Sequence, residues 1–140
     1  MIIRILVEAF AGIVLMTLFS YIMSGLAKKN FKEPNLLNDL LNQANRDGSL
    51  AGWAVHYSIG VLFTAIYEAI WLLWDLAPEF WFTLTAGIIS GIIGVIGWSL
   101  MLKLSNDPPK IALKDFYLQL VLAHVFFVLG VVITHRLFEA

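Results

Sequence analysis

Residues 52–71 read GWAVHYSIGVLFTAIYEAIW. A helix needs about 20 mostly apolar residues to cross a bilayer, and this run has the length and the character. Yet it carries His56 and Glu68. His56, Gly60, Thr64 and Glu68 are spaced by four, which places them on one slowly drifting helix face. In a membrane such a stripe has to turn toward other protein. The stretch therefore asks for partner helices, and the rest of the chain supplies them.

Of the 140 residues, 60% are hydrophobic and 14% charged, whereas soluble domains are nearer half and a quarter. The excess sits in four runs, 2–27, 51–76, 80–102 and 112–138. Each meets the length rule for a spanning helix. The expected fold is all-α, one integral membrane domain over 1–140 built as a four-transmembrane-helix bundle. The first run is too long for a signal peptide, lacks an Ala-x-Ala pattern and is followed by Lys28 and Lys29, so it is expected to be retained. A net charge of -1 suggests no nucleic-acid partner. The absence of cysteine excludes thiol catalysis, disulfides and Cys-ligated metals.

Basic residues predict the orientation. Lys28, Lys29, Lys32, Arg46, Lys103, Lys110 and Lys114 lie in or beside loops 28–50 and 103–111, and only Arg4 and Arg136 lie at the other end. By the positive-inside rule both loops are expected in the cytoplasm and both termini outside. The 77–79 turn, Ala-Pro-Glu, is short enough to make the second and third spans an antiparallel hairpin. Trp53, Trp71, Trp74, Trp81 and Trp98 lie mostly near span ends, where indoles favour the interface.

Loop 28–50 contains EPNLLNDLLNQANRDG, with Pro34 suited to a first helical turn and Gly48 to a stop. Leu36, Leu37, Leu40, Leu41 and Ala44 share a face, so 34–46 is expected to be a short amphipathic interfacial helix. It would either cover the bundle end or dock a partner, with Lys28, Lys29 and Lys32 near lipid phosphates. In the third span Gly87, Gly91 and Gly94 recur with other small residues, which points to close helix packing within the bundle or to a homo-oligomer seam.

The first span has its own stripe, Glu8, Gly12, Met16, Ser20 and Ser24. At about 1.5 Å per residue, Glu8 lies about 9 Å from the outer end of its helix and Glu68 about 12 Å from the outer end of its own. The two stripes can therefore meet level by level, with Ser20 and Ser24 near the level of His56. A charged group at mid-helix costs about 2.5–3.5 kcal/mol or more, so both acids are expected to face inward and to share a proton. His124, about 18 Å into the fourth span, is expected near the level of Glu68. His135, beside Arg136, reads as interfacial. The candidate ligand- or proton-binding site is thus Glu8, Glu68 and His124, with Thr64 and His56 beside them. Tyr57 and Tyr67 read as packing residues.

The pattern GW-x2-HY-x2-G-x2-F-x3-YE, from Gly52 to Glu68, resembles the second helix of uncharacterised small four-span bacterial membrane proteins of unknown function. GIVLMTLFSYIMS and FKEPNLLNDLL are similar in character, so the likeness covers the first half of the chain. It implies this architecture and a bacterial inner membrane, and no activity. Glu8 in VEAFAGIVLMTLFS also resembles the first-helix acid of small multidrug antiporters, but loop 28–50 is long for them.

The favoured reading is a non-enzymatic membrane protein that binds or passes a small solute, lipid or proton at the acid–histidine level. Alternatives are an accessory subunit of a membrane complex and a haem b carrier using His56 and His124. Those two histidines differ in depth by about 12 Å, which disfavours a shared iron. A divalent metal at Glu8, Glu68 and His124 is chemically reasonable, since carboxylate and imidazole suit such ions. No nucleophile–base pair or phosphate loop suggests an enzyme.

Overall fold

The computed structural model describes residues 1–41, 50–76 and 78–140. Every regular element among them is a helix: α1 (Ile2–Ala27), α2 (Glu33–Leu41), α3 (Ala51–Trp74), α4 (Phe80–Leu104) and α5 (Leu113–Glu139). Four of the five, all but α2, are long and apolar enough to cross a membrane. Each span boundary falls within about two residues of its expected place, the usual scatter of helix ends. Residues 42–46 of the expected interfacial helix, and the Gly48 stop, lie outside the described residues.

The helix ends have local causes. Lys28 and Asp75 take left-handed conformations with φ of 52° and 47°. Lys29 N–H donates to Ser24 O, and Leu76 N–H to Trp71 O, both at 3.2 Å. These six-to-one bonds close α1 and α3 and satisfy carbonyls that would otherwise end without partners. Pro108 and Pro109 separate α4 from α5, because proline lacks the N–H that a helix interior needs.

The spans are arranged around α5, which packs on both α1 and α4, while α3 packs on α1. Small residues set the distances. A β-carbon on Gly130 would stand 2.8 Å from Gly12 Cα, so α1 and α5 cross backbone to backbone. A β-carbon on Gly87 would stand 2.6 Å from Val125 Cα, and one on Gly91 2.7 Å from Val121 Cα. The small-residue face of α4 is therefore filled by α5 of the same chain, which is the packing use of such residues.

The expected hairpin of α3 and α4 is close near its turn, where Tyr67 and Trp71 meet Phe82 with ring centroids 5.9 and 5.2 Å apart. Arg136 on α5 donates to Pro78 O from Nε (3.1 Å) and from Nη2 (2.6 Å), tying the end of α5 to this turn. Farther from the turn a cavity separates the two helices. Of the tryptophans, Trp53, Trp74 and Trp81 are exposed, as interfacial indoles are, but Trp71 and Trp98 are buried in the core.

α2 is drawn into the bundle end. Phe31, Leu36 and Leu37 are buried, but so are Glu33 and Asn38, while Leu41 is exposed. The close fit of Gly52 in α3 against Pro34 and Asn38 seats it. α2 thus covers the loop end of the bundle, the first of the two roles expected of it, and takes a carboxyl inside as it does so.

Candidate functional site

Both predicted stripes are buried faces. Glu8, Gly12, Met16, Ser20 and Ser24 are buried along α1, and His56, Gly60, Thr64 and Glu68 along α3. The two acids also meet at a shared height, near the end that carries both chain termini.

Their histidine is His135, which corrects the expected Glu8–Glu68–His124 grouping. His135 Nδ1 donates to Glu68 Oε1 at 2.6 Å and lies 3.2 Å from Glu8 Oε1. Its Nε2 lies 3.2 Å from Glu139 Oε1, one helical turn further along α5. Donor atoms of Glu8, Glu68 and His135 all lie within 4.8 Å of one another. Arg4 adds a cation: its guanidinium pairs with Glu68, stands 3.5 Å from Glu8 Oε1 and reaches toward Glu139 at 3.8 Å. Trp71, with its ring 4.5 Å from the His135 ring, stands beside the cluster.

The misassignment has a physical reason. Depth counted from the loop end sets His124 in its span, whereas the acids are counted from the opposite end. Measured from that opposite end, His135 lies about 6 Å inside α5, the same range as Glu8 and Glu68. Its neighbour Arg136 suggested an interfacial ring, but Arg136 turns to Pro78 and leaves His135 buried.

Arg4 and His135 stand between Glu8 and Glu68 on one side and Glu139, more than half exposed, on the other. Both ring nitrogens of His135 face carboxylate oxygens, and only an imidazolium donates to both. A neutral ring requires one of these carboxyls to hold the proton instead. Glu8 Oε2 is buried with no hydrogen-bond partner among the described residues. A cleft of about 640 Å³, bordered by Arg4, Glu68, Trp71, Asp75, His135 and Glu139, opens beside the cluster.

The remaining site residues sit elsewhere. Thr64 is fully buried between the two levels, with its hydroxyl unpartnered among the described residues. His56 lies 3.5 Å from Thr17 Oγ1, one helical turn from Ser20 on α1. His124 donates from Nδ1 to Leu120 O at 2.8 Å, so its Nε2 keeps its lone pair. His56 and His124 line one cavity, toward the loop end.

Ser20 belongs to a group that sequence reasoning missed. It donates to Glu33 Oε1 at 2.6 Å and accepts from Gln119 Nε2 at 2.6 Å. Glu33 is fully buried, and burial pushes its carboxyl up to about 7 against the hydrogen bonds from Ser20 and Gln119. The signal was present in the spacing: Glu33 lies beside Pro34 on the turn that brings Leu36 and Leu37 inward, so it points the same way as the apolar face.

Comparison with protein-family models, with curated proteins and with solved structures finds no match. What this chain does is read from its own geometry: a membrane-type helical protein with a buried carboxylate–histidine cluster at one end of its bundle.

Proposed function

We propose that the protein is a non-enzymatic membrane protein that takes up and releases a proton at the Glu8–Glu68–His135 cluster, linked to a small solute entering the cleft beside it. One observation carries this reading: buried carboxylates from two different spans converge on a single ring nitrogen of a third. Such a nitrogen holds one proton between two bases, and the cleft gives it a route to solvent. Ionisable groups inside spans are functional by default, because each is costly to keep.

The test is infrared titration of the protein in lipid. A carboxyl band that changes with pH and disappears in both Glu8→Gln and Glu68→Gln supports the reading. A spectrum without any titrating band sensitive to these substitutions counts against it. In liposomes, Glu68→Gln should also abolish solute-linked proton movement.

A second reading is a divalent cation held by the same three residues, favoured by the closeness of their donor atoms. It requires Arg4 to leave Glu68, since a guanidinium already fills the cationic place there. Metal analysis of protein purified without chelators separates the two: stoichiometric metal lost in Glu68→Gln favours the cation.

The loop end, with its lysines, is assigned to the cytoplasm and the chain to a bacterial inner membrane. The cysteine-free sequence makes this testable. Asn30→Cys should resist an impermeant maleimide in intact cells, and Ala140→Cys should react.

A further inference from the structure

Toward the loop end, a cavity of about 260 Å³ lies between α3 and α4, floored by α2 and backed by α1 and α5. It is a different place from the acid–histidine cluster: Glu68 and His135 border the cleft at the terminal end, and neither lines this cavity. Its wall is mostly apolar and aromatic, with Met16, Phe63, Trp98 and Phe127 among its members, and three polar residues interrupt it: Glu33, His56 and His124.

Glu33 is the only carboxyl among these three. Glu33 Oε2 and its neighbour Gln119 Oε1 are buried without hydrogen-bond partners among the described residues; the amide oxygen is an acceptor, and Oε2 is one when Glu33 is ionised. His124 has committed its Nδ1–H to Leu120 O, leaving an acceptor at Nε2. No salt bridge reaches Glu33 among the described residues, and the adjacent Lys32 sets its ammonium over the Tyr21 ring, 5.1 Å from the centroid. Ionising Glu33 therefore lacks a counter-charge among the described residues. A buried carboxylate without one is strongly disfavoured, and an ammonium bonded to it removes that penalty. Access comes from the side. α3 and α4 touch near their turn and stand apart here, so the cavity faces the region where lipid chains would lie.

We propose that this cavity binds a lipophilic amine, with its ammonium on Glu33 and its apolar body between α3 and α4. The amine enters from the bilayer as a membrane-partitioned molecule, and Trp98 and Phe63 flank its hydrocarbon part.

Equilibrium dialysis of the full chain in nanodiscs tests this with hexylamine, hexanol and hexanoate, which share one hydrocarbon tail. Hexylamine should bind saturably at one site per chain, hexanol more weakly, and hexanoate should not compete. Glu33→Gln should weaken hexylamine about 30-fold and leave hexanol unchanged, as expected when a buried charge loses its partner. Gly97 lines the cavity and has open space where a β-carbon would go, so Gly97→Leu adds bulk at the chamber wall with no clash at the β-carbon. It should weaken both hexylamine and hexanol, and it serves should Glu33→Gln fail to fold. Glu68→Gln should leave hexylamine binding intact, which separates this site from the acid–histidine cluster. Hexylamine and hexanol binding equally, hexylamine indifferent to Gly97→Leu, or no saturable hexylamine binding would each overturn the proposal.

Discussion

At the scale of single residues, the two acids of the cluster have unequal partners. Glu68 meets both Arg4 and His135, whereas Glu8 leaves one oxygen unpartnered. Removing one side of a buried ion pair costs about 3 kcal/mol, because the other side stays charged and unpaired. Glu68→Gln is therefore expected to lower stability by about that much, and Glu8→Gln by clearly less. Thermal unfolding of both variants in the same detergent checks the order; equal losses would mean that Arg4 and His135 do not depend on Glu68. Glu33 gives a pH dependence of opposite sense to an ordinary acid. Its folded-state value, about 7, is above the reference of 4.5, so the neutral form is favoured by folding. Its contribution to stability is complete below about 4.5 and is lost as pH rises through about 7. The groups around it are Ser20 and Tyr21 on α1, Gln119 on α5 and His56 on α3. Glu33→Gln cannot ionise, so relative to the native chain it should gain melting temperature as pH climbs from 5 to 8, by up to about 3 kcal/mol in stability. A native-minus-variant difference that does not move with pH would show that Glu33 is not desolvated.

At the scale of helices, closeness of backbones explains where substitutions will be felt. Gly130 meets Gly12 Cα and Ala11 O, atoms that cannot rotate away, whereas Gly97 faces open space. Overpacking a tight contact costs about 1–3 kcal/mol, and backbone neighbours leave little relief. Gly130→Ala should lower the melting temperature by several degrees and Gly97→Ala should be near neutral, read by circular dichroism in one detergent. A reversed order would place the α1–α5 crossing elsewhere. The same physics decides what was legible in the sequence. Helix existence and span limits followed from run length, since a bilayer allows few alternatives. The inward faces of α1 and α3 followed from residues spaced by four. The partners of those faces did not follow, because rotation and tilt of α5 are set by packing at Gly12–Gly130 and Gly87–Val125, contacts between residues far apart in the chain. Thus Glu8 and Glu68 were paired correctly, while the third member fell one depth level away. α2 was legible as amphipathic, yet the inward turn of Glu33 broke the rule that polar residues lie opposite the leucines.

At the scale of the whole molecule, the four spans form an open arc, α3–α1–α5–α4, rather than a ring, and this shape creates two separate polar places. At the terminal end, α1, α3 and α5 converge on the acid–histidine cluster; toward the loop end, α3 and α4 part around the cavity. The α3 stripe serves both, with His56 and Gly60 lining the cavity and Glu68 in the cluster. The most direct test of that layout is a double-mutant cycle on stability, comparing Glu68→Gln with His135→Gln and Glu68→Gln with His124→Gln. Residues in one hydrogen-bonded network couple by about 0.5–3 kcal/mol, and distant ones add to within about 0.5 kcal/mol. The expected result is strong coupling for Glu68 with His135 and additivity for Glu68 with His124. Coupling to His124, with additivity toward His135, would contradict the cluster and return the acids to a different partner.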